Sequence, residues 1–325
     1  MRALRCNQYG SVETLVVEDV PGPTPSDGQV VVDVAAAAVN FPDVLLVADQ
    51  YQIHVPVPFT PGSEFAGTVS AVGAGVEGVA VGDRVMGAAL IGAFAEQILV
   101  PASSVQPVDP AVDFRSAAAS VVAHLTAYHA LRTVGRVERG DWVVVLGAAG
   151  GVGLAAIELG TVLGARMLAA ASSPEKLALC LEKGAEAVVD YTTENLKERI
   201  KEITGGGANM VIDPVGGPAA EEALRAMRWG GRFVSVGFAS GEIPRIPLNL
   251  VLLKGVIVTG FAMEGLGRNQ PEDVARDRAE LLDLLATGGV VPHVSAAYPL
   301  DQAHRALADL AERRATGKVL IEPSA

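Results

Sequence analysis

The pattern of apolar and polar positions changes style once along the chain. Over roughly the first hundred residues, apolar residues come in short runs broken by glycine and proline: QVVVDVAAAAV (Gln29 to Val39), FAGTVSAVG (Phe65 to Gly73) and GDRVMGAA (Gly82 to Ala89). Such punctuation predicts short strands and a β-rich, partly barrel-like domain. From about Ser116 the chain turns helical, with the periodic Ala/Leu-rich stretch SAAASVVAHLTAYHALRTVG. WVVVLGAAGGVGLAAIELGTVLGARMLAAAS then reads as strand, glycine turn, helix and strand. Further strands are expected at AEAVVDY, ANMVIDPVG, GRFVSVGF and GVIVTGF, with helical stretches between several of them. Buried strands alternating with helices predict an α/β fold with a doubly wound parallel sheet. Beyond about Ala262 two helices, ARDRAELLDLLATG and LDQAHRALADLAERR, lead to a closing strand, GKVLIEP.

Composition narrows the function classes. The chain has 325 residues, half of them hydrophobic, which is ample for a core and suggests two domains. A net charge of −12 argues against a general nucleic-acid surface. No apolar run reaches the roughly 18 residues that span a bilayer, and the opening MRALRCNQYG lacks the apolar core of a signal peptide. A soluble, cytoplasmic protein with no membrane partner is the expectation. Cys6 and Cys180 are too few for a disulfide framework or a Cys-rich zinc lobe.

The strongest chemical signal is the segment Gly147 to Gly153, between a predicted strand and a predicted helix. Its glycines permit a tight turn and a close approach of phosphate to backbone at Gly150, Gly151 and Val152, and the helix start presents free N–H groups and a partial positive charge. Dinucleotide binding is expected. An NAD site carries Asp or Glu about 20 residues further on, for the ribose 2′-OH. Here the strand ends in Ser172-Ser173, with Lys176 close behind and Tyr191 ending the next strand. Hydroxyls and an ammonium suit a 2′-phosphate, so NADPH is preferred over NADH. Ser173 also fits the N-cap of a helix starting at Pro174, and the two roles are compatible.

NFPDVLL (Asn40 to Leu46), PGSEFAG (Pro61 to Gly67), GAAGGVG, ASSPEK, DPVGG (Asp213 to Gly217) and VGFASGEIPRIPLNL (Val236 to Leu250) together resemble the quinone oxidoreductase branch of the medium-chain dehydrogenase/reductases. The resemblance runs over nearly the whole chain. It implies a GroES-like catalytic domain at residues 1–122, a Rossmann NADPH-binding domain at 123–262, and a return to the catalytic domain at 263–325. It also implies an active site in the cleft between domains, and a homodimer that pairs the last Rossmann strands. Zinc-dependent alcohol dehydrogenases of that superfamily carry a Cys near the position of Asn40 and a His in a Gly-His-Glu motif. This chain has Asn40 and Ser63 there and keeps only Glu64. Zinc wants three or four soft or imidazole ligands, and neither Cys nor His remains at these places, so no metal is expected. Glu64 is expected to be structural, salt-bridged within the catalytic domain. His54, His124 and His129 are scattered and read as ordinary polar or packing residues.

Without zinc there is no Lewis acid to assist alcohol oxidation. A quinone, already electron-poor and stable as a reduced anion, fits best as hydride acceptor; enones and enoyl thioesters fit if a proton is delivered. By resemblance Asn40 bonds a carbonyl oxygen or the nicotinamide ribose, Asp43 holds its loop, and Thr126 lies near the nicotinamide. Tyr51 takes the place of the proton-donating tyrosine of enoyl-thioester reductases, and can equally be a packed loop residue. Thr126 can equally bond its own i−4 carbonyl. Gly237, Phe238 and Phe261 close strands at the edge where such sheets bind ligands. Lys318 matches a Gly-Lys before the family's last strand, or is a solvated lysine. The leading expectation is an NADPH-dependent, zinc-free quinone oxidoreductase. Its rivals are an enoyl-thioester or enone reductase with Tyr51 as acid, and a catalytically idle, crystallin-like NADPH-binding protein.

Overall fold

A computed structural model describes residues 1–324 and divides the chain into two compact units, residues 1–122 with 292–325 and residues 123–291. The second unit is inserted into the first. The first boundary falls after Val122, within the helical stretch that begins near Ser116, and the return comes at Pro292, not at residue 263. The reason is a long helix, Pro271–Ala286, tied to the start of the inserted unit: Tyr128 donates to Glu280 at 2.6 Å and His129 bonds Asp277 at 2.7 Å.

The inserted unit holds six parallel strands: β1 (Trp142–Leu146), β2 (Arg166–Ala171), β3 (Ala187–Asp190), β4 (Ala208–Asp213), β5 (Met227–Ser235) and β6 (Ile257–Gly260). Their order across the sheet is 3-2-1-4-5-6, the doubly wound arrangement that binds dinucleotides where strand order reverses. β1 is buried along its whole length, as a central parallel strand covered on both faces must be. Each Val or Leu buried there contributes about 1.5–3 kcal/mol relative to exposure to water. The helices of this unit are α1 (Ala123–His129), α2 (Gly151–Val162), α3 (Pro174–Glu182), α4 (Leu196–Thr204), α5 (Pro218–Arg225), α6 (Leu248–Lys254), α7 (Met263–Asn269) and α8 (Pro271–Ala286). A π-helical turn, Ala130–Val134, prolongs α1.

The outer unit is a mainly antiparallel sheet. Strand Gln29–Ala38 pairs with Glu64–Val72 on one side and with the closing strand Lys318–Glu322 on the other. Ala38 stands opposite both Glu64 and Leu320. That register brings three strand ends, far apart in sequence, to one place. Beyond Ala38 the chain passes through Asn40 into a short helix, Phe41–Val47, started by Pro42 in its first turn and by Asp43 at the third position.

Candidate functional site

In the inserted unit, the expected nucleotide residues gather at the carboxyl ends of the strands. After β1, Gly147 adopts φ +57°, a left-handed conformation that favours glycine. A Cβ at Gly153 would lie 2.5 Å from the Gly147 carbonyl oxygen, so only glycine lets α2 start this close to the turn. Gly150 sits at the N-cap with no side-chain cap, and the first turn holds no acidic residue. The N–H groups of Gly151, Val152 and Gly153 are therefore available to an anion, with the helix dipole favouring negative charge.

Ser172 and Ser173 follow β2. The Ser173 hydroxyl accepts the Lys176 backbone N–H at 3.4 Å, so it caps α3. Exposed Glu175 bonds its own amide and the Ser173 hydroxyl, which holds its carboxyl below the usual carboxylate range. Tyr191 follows β3 and is exposed, Gly237 and exposed Phe238 follow β5, and Phe261 follows β6. Thr126 lies on α1, nearly buried, and its hydroxyl makes no protein hydrogen bond among the described residues, so the bond to its own helix carbonyl is not formed. Glycine cradle, hydroxyls and lysine at one sheet edge fit a dinucleotide carrying a 2′-phosphate.

One participant at this edge was not assigned from sequence. Asp213, ending β4 in DPVGG, is buried; one carboxylate oxygen accepts the N–H groups of Val215 and Gly216, each at 2.8 Å, and shapes the turn before α5. Burial raises its carboxyl above the ordinary carboxylate range. The aspartate-then-diglycine signal was visible; its bonding was not.

In the outer unit the converging strand ends enclose a polar cluster. Lys318 is 4% exposed, and its ammonium donates to Glu64 Oε1 at 2.5 Å, Asn40 Oδ1 at 2.6 Å and the Val39 carbonyl at 3.1 Å. An ammonium has three donors, so none is left for a ligand; Lys318 is neither a solvated lysine nor a free cofactor contact. Asn40 is similarly committed. Its amide nitrogen donates to Glu64 Oε1 at 2.8 Å and to Ser63 Oγ at 3.2 Å, while its oxygen accepts from Lys318. The expected bond from Asn40 to a substrate or ribose oxygen thus competes with bonds already made. Glu64 is fully buried and salt-bridged, as anticipated, and its other oxygen accepts the Val122 N–H at 2.7 Å.

Asp43 is fully buried and accepts the Asn40 backbone N–H at 2.7 Å, holding the loop as expected. Burial pushes its carboxyl up to about 7, against the Asn40 amide and the nearby Ser63 hydroxyl. Tyr51 is half-buried against the core of this unit, and its hydroxyl has no protein partner among the described residues. No group of three or more His, Cys, Asp or Glu able to hold a metal occurs among the described residues.

Two of the histidines are less ordinary than their sequence context suggests. His129 is fully buried and bonds Asp277, which also accepts from Thr133 at 2.6 Å and Arg276 at 2.6 Å. His124 bonds Glu158 at 3.3 Å, and Glu158 in turn accepts from Lys183 at 2.9 Å. His129 and Asp277 are 148 positions apart, a pairing that no local pattern announces.

A six-stranded sheet in the 3-2-1-4-5-6 order with a glycine cradle, inserted into a β-rich unit, defines a dinucleotide-dependent dehydrogenase or reductase. Two family descriptions match: "Alcohol dehydrogenase GroES-like domain" over residues 26–110 and "Zinc-binding dehydrogenase" over residues 151–287. Quinone oxidoreductase-like protein 2 homolog from Nematostella vectensis is 36% identical, across 98% of this chain and 88% of the relative. The crystal structure of Escherichia coli quinone oxidoreductase complexed with NADPH is 31% identical, covers 99% of this chain and all of that one, and has a TM-score of 0.93. Quinone oxidoreductase from Thermus thermophilus, also solved in complex with NADPH, is 33% identical over 99% of this chain and 100% of that one, with a TM-score of 0.87. The chain belongs to the medium-chain dehydrogenase/reductase superfamily, in its quinone oxidoreductase branch.

Proposed function

We propose that this protein is an NADPH-dependent, zinc-independent oxidoreductase that passes hydride to a quinone. When bound, NADPH supplies the hydride. The chain supplies the glycine turn and α2 for the pyrophosphate, and Ser172, Ser173, Lys176 and Tyr191 for the 2′-phosphate. Thr126, Gly237, Phe238 and Phe261 orient the nicotinamide end. NADPH is also the cofactor in the E. coli and Thermus complexes.

The observation that carries the acceptor class is the closed bonding of Asn40. Both ends of its amide are used by Lys318, Glu64 and Ser63, and the residues at the zinc-ligand positions provide no Lewis acid. An acceptor that needs little polarisation is therefore favoured, and a quinone is one: its reduced oxygen takes a proton from water.

The unpartnered hydroxyl of Tyr51 supports a second reading, reduction of an enoyl thioester with Tyr51 as acid. A positioned acid contributes typically about 10²–10⁴-fold. Oxidation of NADPH with a naphthoquinone, an enone and a crotonyl thioester, in wild type and Tyr51→Phe, separates the two. Quinone turnover should fall by less than about tenfold in the variant, below roughly 1.4 kcal/mol of barrier. Robust thioester reduction with negligible quinone activity, lost in Tyr51→Phe, would replace the quinone reading.

The same proposal includes a homodimer. β6 is the outer strand of its sheet, and Ile257 and Val258 on it are 52% and 44% exposed, with Leu252 and Leu253 on α6 also open. An open apolar edge of this kind invites pairing with a second copy. Sedimentation should give a dimer for wild type and a monomer for Leu252→Glu/Ile257→Glu.

A further inference from the structure

The family description includes zinc, and the donor set here does not fit it: an amide, a hydroxyl and a carboxylate stand where thiolate and imidazole would be wanted. What occupies the centre of that set is a cation of the protein's own. Three oxygens converge on one buried nitrogen: Glu64 Oε1 at 2.5 Å, Asn40 Oδ1 at 2.6 Å and the Val39 carbonyl at 3.1 Å. They come from two neighbouring strand ends paired in register, Val39 and Asn40 just past Ala38 and Glu64 opposite Ala38, so the oxygens are held in place by the fold and not by the lysine alone.

We infer that the Lys318 ammonium is a built-in counter-cation that fills an oxygen cage and keeps divalent metal ions out, so that shortening this one side chain converts the cage into a cation site. The physical reasoning is charge and hardness. With the ammonium gone, one carboxylate oxygen of Glu64 and two neutral oxygens border the vacated centre, a cation entering there would restore the charge partner that Lys318 provides, and Asp43 lies within electrostatic reach of it. Carboxylate and carbonyl oxygens suit Mg²⁺, Ca²⁺ and Mn²⁺ rather than zinc. The lysine stem leaves room for water to complete the coordination. The inference stands on the outer unit alone and does not depend on which acceptor the enzyme reduces.

The probe is Mn²⁺ alone, added to wild type, Lys318→Ala and Lys318→Ala/Glu64→Gln, with the free-ion paramagnetic resonance signal and the thermal midpoint as readouts. Wild type should leave Mn²⁺ free. Lys318→Ala should bind about one ion per chain with a dissociation constant of about 10⁻⁴ M or below, the weak end of oxygen-donor sites, and its midpoint should rise with Mn²⁺. The double variant should lose both effects. If Lys318→Ala does not fold on its own, refolding with Mn²⁺ present decides: recovery supports the cage and failure to recover overturns it. A folded Lys318→Ala that leaves Mn²⁺ free, or a wild type that binds it equally well, also overturns the inference.

Discussion

The outer unit and the inserted unit each bury a cluster of charges, and they manage it differently. In the outer unit Glu64 and Lys318 are both closed off from solvent, and almost every bond each makes is to the other, to Asn40 or to backbone. In the inserted unit Asp277 is equally buried, but its cationic partner Arg276 keeps 38% of its side chain exposed, and His129 and Thr133 share the load. A closed pair has no water to fall back on when one member is lost; a cluster that reaches the surface does. The closed pair is thus a matter of position, and the open cluster a matter of fastening helices together.

The largest test of that contrast is Lys318→Met. Stranding Glu64 without its partner should cost about 3–5 kcal/mol, read from urea unfolding. Adding Glu64→Gln should recover a large part of it, because the uncompensated charge is then gone. Lys176 sharpens the comparison from the other side, since a lysine proposed to hold the 2′-phosphate should affect binding more than folding. Lys176→Ala should weaken NADPH by about one to two decades, about 1.5–3 kcal/mol for one charge-assisted contact, with NADH affinity and urea midpoint nearly unchanged. Equal losses for both cofactors would remove Lys176 from the 2′-phosphate site.

In the open cluster, Thr133→Val deletes one donor to Asp277 and keeps the shape. Arg276 and His129 remain, so the loss should be about 1 kcal/mol. A loss as large as that of Lys318→Met would erase the distinction between the two clusters. One effect is pH-dependent. Burial raises Asp43 from 3.8 to about 7 in the folded state, so the native protein holds a proton there that the unfolded chain releases. Its contribution to stability therefore declines as pH rises from about 4 to 7. Asp43→Asn should be more stable than wild type at pH 8 and no more stable at pH 5.

Those residues also mark how far the sequence could be read. The glycine turn, the strand ends and the serine-lysine pair sit within one stretch of chain, so local spacing reveals them. The pyrophosphate site proposed for them is made largely of backbone, and backbone conformation leaves its mark on composition. The Asn40–Glu64–Lys318 cluster depends on the register of three strands, and spacing cannot show that Lys318 turns inward. Several short strands of the outer unit are not legible for a simpler reason, two of them clearly so. Val16–Asp19 and Val294–Pro299 carry small or half-exposed residues, and neither has the run of apolar side chains that announces β1 or β4. The late return to the outer unit was hidden too, because α8 is fastened by side chains far from it in sequence.

The insertion of one unit inside the other sets an order of assembly during synthesis. Asn40, Asp43 and Glu64 leave the ribosome early, and Lys318 follows Glu64 by 254 residues. At about 5–20 residues per second, roughly 10 to 50 seconds separate the carboxylate from its ammonium. The inserted unit has all of its strands before then, whereas the outer sheet still lacks the strand that closes it. A nascent chain therefore carries a finished nucleotide fold beside an open sheet edge and an unpaired acid, and it is in that interval that the protein most needs protection from other chains.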